Sequence, residues 1–173
     1  AVLLAVGNDP KINQHIEKVK DRASSMILGD NMGAIITHDQ VKFLSSMIDK
    51  AEKDGAKIIL DGRKGKVPAG LEAGNWIGPT ILDNVKPGSD AATTELFGPI
   101  LSIVRVKDLT EAIAIENSVE YGNACSIFTS SGAFAERVIR EASTGMVGVN
   151  IGVPVPREPF SFGGINASKY GHG

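Results

Sequence analysis

Cysteine is almost absent: Cys125 is the only one in 173 residues. No internal disulfide can form, which favours a reducing compartment. Histidine is scarce too, with His15, His38 and His172 scattered along the chain. One cysteine and no spaced histidine pair leave no ligand set for a structural zinc. No apolar run approaches the ~20 residues of a membrane-spanning helix. There is no basic excess either: the formal net charge is −2. That composition speaks against nucleic-acid and membrane partners, which show as basic patches or stripes. Neither G-x-G-x-x-G nor G-x-x-x-x-G-K-[ST] occurs after a strand, so most of any dinucleotide site is expected to lie elsewhere. A start methionine is also missing. The apolar run from Ala1 to Gly7 is too short for a signal peptide, and no basic region precedes it. This opening reads as part of a longer chain.

The chain does contain the makings of one packed domain. Apolar residues make up 42% and charged residues 22%, ordinary for a globular protein. Twenty glycines punctuate short apolar runs. Val2–Val6 reads as a buried strand. Asp9 offers an N-cap with Pro10 at the first helical position, and Ile12, Ile16, Val19, Ala23 and Ile27 recur at helical spacing. A helix over 10–28 is therefore expected, ended by Gly29. Thr37 and Gln40 form a capping box for a second helix with apolar positions Val41, Leu44, Ile48 and Ala51. Strands are expected at Lys57–Leu60, Pro79–Leu82, Ile100–Val106, Ala124–Phe128 and Val147–Asn150. Asp108, with Glu111, opens a third helix. A fourth starts near Ala133 with Phe134, Val138, Ile139 and Ala142 on one face. The tail from Gly152 reads as loops. Strands alternating with helices predict an α/β fold, a mainly parallel sheet flanked by helices, in a single domain over 1–173.

Few residues could carry chemistry. Cys125 sits in an apolar, strand-like run with no adjacent base or cation, and reads as a buried, inert thiol. His15 lies beside the apolar face of the first helix and reads as a packed or boundary histidine, and His38 as solvated. Gly62-Arg63-Lys64-Gly65 reads as a solvated turn. Glu95-Leu96-Phe97-Gly98-Pro99 places a carboxylate and an aromatic ring on a constrained turn before a strand. On physical grounds alone, a loop with a solvated Glu95 accounts for it.

Thr94-Glu95-Leu96-Phe97-Gly98-Pro99 also resembles the E-x-F-G-P motif of the aldehyde dehydrogenase superfamily. Gly78-Pro79-Thr80 before it resembles that family's P-T element. Tyr121-Gly122-Asn123, Gly148-Val149-Asn150 and Phe162-Gly163-Gly164 with Ser168 and Gly171 resemble its later motifs, in the same order and at matching intervals. The passage from Gly148 through Pro154 and Pro156, with Pro159-Phe160-Ser161-Phe162 and Gly171-His172-Gly173, is similar to the CoA-acylating methylmalonate/malonate-semialdehyde dehydrogenases.

The resemblance implies a partial aldehyde dehydrogenase catalytic domain. In that family a cysteine thiolate attacks an aldehyde, hydride passes to NAD, and the enzyme-bound thioester is transferred to coenzyme A. Carried over by motif, Glu95 is expected to hold the nicotinamide-ribose hydroxyls, since one carboxylate can accept two hydroxyl hydrogen bonds. Phe97 is expected near the nicotinamide, and Phe162 in the aldehyde tunnel. Gln40 falls in a region that approaches the cofactor ribose in relatives. The resemblance puts the nucleophilic cysteine and the dinucleotide domain before Ala1, so no catalytic residue is expected within 1–173 and the chain alone is expected to be inactive. The complete enzyme is expected to form a homo-oligomer in the cytoplasm or mitochondrial matrix. Two other readings stay open at this stage: a CoA-independent aldehyde dehydrogenase, and a non-catalytic binding or assembly module with the same fold.

Overall fold

The computed structural model describes residues 1–159 and 163–168. The chain divides into two compact units, Ala1–Lys107 and Asp108–Gly173. One domain over 1–173 is expected from the sequence, which has no Gly- or Pro-rich linker at this division to distinguish the two units. The division falls at Lys107–Asp108, where a strand runs straight into a helix cap.

In the first unit, β1 (Val2–Val6) leads into α1 (Lys11–Ser24), then α2 (His38–Lys53), β2 (Lys57–Leu60), β3 (Thr80–Asp83), α3 (Asp90–Thr93) and β4 (Ile100–Val106). The sheet order is β1-β4-β3-β2. β4 pairs in parallel with β1, Val2 opposite Ser102, and with β3, Thr80 opposite Ile100. β2 pairs antiparallel with β3. The mainly parallel sheet thus carries one reversed edge strand. Segment 61–79 returns to the sheet without an α-helix, and a parallel pairing needs a crossover.

The core fills both faces of this sheet. Ile81 and Ile103 pack with Ala5 and with Ile16 of α1. Side chains alternate along a strand, so Leu82, Ser102 and Val104 point the other way. On that face the buried Ser102 hydroxyl donates to Ala91 O of α3 at 2.6 Å. Lys50 of α2 forms an ion pair with Asp90 of α3. Buried Leu44, Met47, Ile48 and Ala51 give α2 its apolar stripe. Fully burying one such side chain is worth roughly 1.5–3 kcal/mol. Covered faces are the usual condition of a parallel sheet.

Helix boundaries follow local chemistry. α1 starts at Lys11 with Pro10 as its N-cap, one residue later than the cap expected at Asp9, whose Oδ1 accepts from Lys11 N at 2.8 Å. α1 ends at Ser24, short of the expected Gly29. Asn31 closes the following turn by accepting from Ile27 N at 2.8 Å, which uses a donor that a longer helix would need. His15 is exposed, not packed. The turn at 62–65 is also more than solvated. Gly62 N donates to the buried Thr80 hydroxyl at 3.0 Å, and a Cβ on Gly62 would lie 1.8 Å from Gly78 O. Its positive charge is answered by Asp61 and Asp49, both of which pair with Arg63.

The second unit contains α4 (Leu109–Asn117), β5 (Tyr121–Gly122), β6 (Ala124–Ile127), α5 (Gly132–Glu141), β7 (Met146–Val149) and β8 (Ile165–Asn166). Asp108 Oδ1 caps α4 through Glu111 N at 2.9 Å. β6 and β7 pair in parallel, and β5 and β8 antiparallel. The tail is therefore not loop throughout. Asn150 extends the β6–β7 pairing with its side-chain amide, accepting from Thr129 N at 2.8 Å and donating to Thr129 O at 2.9 Å. On α5 the buried residues are Ala135 and Val138. Phe134 and Ile139, expected on the apolar face, are half exposed.

Candidate functional site

The turn carrying Glu95 and Phe97 is braced from both ends. On its amino side, Thr94 N donates to Asp90 O at 2.9 Å and closes α3. On its carboxyl side, Ile100 enters the buried strand β4, and Thr80 N of β3 donates to Pro99 O at 2.8 Å. Between these anchors Leu96 is buried, while Glu95 and Phe97 face solvent. Phe97 is 76% exposed.

The backbone of Phe97 is in the left-handed region, with φ +47. That conformation costs a residue with a bulky side chain about 1–2 kcal/mol. Three contacts hold it. Leu96 is fixed in the core. Gly98 lies so close to α2 that an added Cβ would meet Leu44 Cδ1 at 2.4 Å. Gln40 Nε2 donates to Leu96 O at 2.6 Å and lies 3.5 Å from Phe97 O.

Gln40 departs from the capping box expected of it. Thr37 plays its part, its hydroxyl accepting from Gln40 N at 3.1 Å. The amide of Gln40 does not return to Thr37 but reaches across to the turn. Sequence reasoning placed Gln40 near the site only through family resemblance. No local signal in the sequence ties it to Leu96.

Glu95 makes no hydrogen bond or ion pair among the described residues. Its carboxylate is free to accept two hydroxyl hydrogen bonds. Of the expected site residues, Glu95 and Phe97 are thus brought together on one turn with Gln40 beneath them. Phe162 lies outside the described residues.

Cys125 is half buried on β6. Burial, and then the nearby Glu116 charge, push its thiol up to about 11. Such a thiol is protonated at neutral pH and a poor nucleophile. Burial also raises Glu116 above the usual carboxylate range, partly offset by the hydrogen bond from Ser143 N. Among the described residues no group of three or more His, Cys, Asp or Glu side chains could hold a metal ion. A separate cavity of about 350 Å³ lies at the carboxyl ends of β1 and β4, lined by Asp9, Asn13 and Arg105 among others. None of the expected site residues lines it.

The family model described as "Aldehyde dehydrogenase family" matches residues 8–173. The chain belongs to the aldehyde dehydrogenase family. Among curated aldehyde dehydrogenases it is 41% identical, over 162 residues and 94% of its own length, to the human mitochondrial methylmalonate-semialdehyde/malonate-semialdehyde dehydrogenase [acylating]. It covers 30% of that relative. The solved methylmalonate-semialdehyde dehydrogenase from Oceanimonas doudoroffii superposes with a TM-score of 0.92 at 35% identity, covering 99% of this chain and 36% of that one. An aldehyde dehydrogenase from Mycobacterium tuberculosis, solved with NAD+, gives a TM-score of 0.85 at 26% identity, covering 98% of this chain and 35% of that one. The chain therefore spans about a third of the length of the relatives it matches.

Proposed function

We propose that this chain is the part of an NAD-dependent, CoA-acylating semialdehyde dehydrogenase that presents the nicotinamide-ribose contact and one wall of the aldehyde tunnel. The observation that carries the proposal is the braced turn at 94–99, with a carboxylate unpaired among the described residues and an open aromatic ring on a strained backbone. Similarity to methylmalonate- and malonate-semialdehyde dehydrogenases over nearly the whole chain supports the substrate class.

The residues fit the cofactor. Glu95 would accept hydrogen bonds from the ribose hydroxyls, and Phe97 would pack beside the nicotinamide. NAD, when bound, supplies the hydride acceptor. The chain's own work is to orient the ring and keep water from its face; no residue described here needs to exchange a proton. Phe162 is assigned to the aldehyde tunnel. Coenzyme A is the acyl acceptor.

Cys125 is not the nucleophile in this reading. Residues 1–173 form one partial catalytic domain, which has no turnover alone. The complete enzyme would be a homo-oligomer acting on a small semialdehyde in the cytoplasm or mitochondrial matrix. Its test is NADH absorbance with methylmalonate or malonate semialdehyde, NAD and CoA. The full gene product containing this segment should turn over and need CoA in steady state. The 173-residue chain should not. Turnover by the isolated chain, or a full gene product indifferent to CoA, contradicts the proposal.

A further inference from the structure

We infer that Gln40 is a positioning residue that sets the cofactor turn by hydrogen-bond donation to its backbone, an inference that rests on the reading of the 94–99 turn given above. α2 meets the turn at two points one helical turn apart. Gln40 donates through Nε2 to Leu96 O at 2.6 Å. Leu44 packs against Gly98, with no room for even a Cβ between them. Residues i and i+4 lie on one helix face, so these two contacts bracket Phe97 from either side. Phe97 is the residue with the left-handed backbone. The root of the Gln40 side chain is itself fixed, because Gln40 N is tied to the Thr37 hydroxyl at 3.1 Å.

Both atoms that Gln40 faces on the turn, Leu96 O and Phe97 O, are carbonyl oxygens. Carbonyls only accept, so the clamp needs an N–H donor. That requirement separates it from direct contact with the cofactor. A side chain accepting from ribose hydroxyls would work as well, or better, as a carboxylate. A clamp on carbonyls would fail as one.

The experiment is steady-state kinetics of the full gene product with NAD as the varied substrate, using Q40A, Q40E and Q40K, with E95A as the reference for the turn. Q40A should raise KM for NAD about three- to tenfold, the worth of one net hydrogen bond. KM for the semialdehyde should stay at the parent value, and the unfolding midpoint should fall by no more than the loss of that one hydrogen bond allows, whereas a general structural role would raise both KM values. Q40E should be at least as impaired as Q40A. Q40K, which keeps a donor, should return KM toward the parent. Parent-like kinetics in Q40A or Q40E, or no rescue in Q40K, overturns the clamp. So does a rise in both KM values with a fall in midpoint. A parent-like KM for NAD in E95A overturns the reading of the turn itself, and is told apart by that one variant.

Discussion

Gly98→Ala should weaken the first unit through one contact. The added methyl would lie 2.4 Å and 2.6 Å from the two Leu44 methyl carbons and 3.1 Å from Cγ. Leu44 is 0% exposed and cannot swing into solvent. Overpacking of this kind costs about 1–3 kcal/mol. Gly98 does not have a positive φ, so alanine brings no backbone strain there, and it lowers the entropy of the unfolded chain by an amount worth about 0.4–1 kcal/mol. The net loss should be about 1–2 kcal/mol. Leu44→Ala alone should cost about 2–5 kcal/mol through the cavity it leaves. In the double variant the new methyl enters that cavity, so the combined loss should fall short of the sum by about 1 kcal/mol. Urea unfolding followed by the fluorescence of Trp76, the only tryptophan, measures all three. Stability at or above the parent for Gly98→Ala, or strict additivity in the double variant, refutes the packing account.

Asp83 accepts two hydrogen bonds from Arg105, at 2.9 and 2.8 Å. Burial pushes its carboxyl up, but Arg105 and the Asn84 amide outweigh that and hold it below its ordinary value. Its contribution is then complete above the unfolded pKa of about 3.9 and is lost as pH falls through the lower folded value. Asp83→Asn should flatten the acid limb of a stability–pH curve below about pH 4 and cost about 1–2 kcal/mol at pH 7, a figure kept low because Arg105 is partly exposed. An unchanged acid limb contradicts this. Cys125 should alkylate slowly with iodoacetamide at pH 7.5 and faster toward its value near 11, and Glu116→Gln should bring that midpoint down. A rate at pH 7.5 equal to that of a free thiol sinks the account.

Helix starts were legible because capping is local chemistry. Thr37 and Asp108 each accept from the amide three residues on, as expected of them. A short continuous apolar run marked β1, an adjacent turn marked β3, and β-branched content marked β4. The mainly parallel sheet was also expected, and what the sequence did not show were details decided at a distance. The direction of β2 depends on a return path that holds no α-helix. The apolar face of α5 depends on which neighbours cover it, and Ala135 was preferred to Phe134. Short elements escaped for a similar reason. β5 and β8 have two residues each and exist only because the chain returns to pair them.

The site divides along the same line. Local physics favoured a solvated Glu95, and Glu95 is indeed exposed and without a partner among the described residues. That reading missed the bracing around it, since Gln40 and Leu96 stand 56 residues apart. A solvated loop has no need of a left-handed phenylalanine. Nor does it need a glycine pressed on a core leucine, or a glutamine diverted from its own helix cap. Each of these costs free energy or forgoes a local bond, and together they hold one carboxylate and one ring in fixed positions open to solvent. Burial alone would have turned Phe97 inward and relaxed its backbone. The cofactor contact proposed for this turn would give the outward ring an apolar surface to meet, and E95A kinetics with NAD test that proposal.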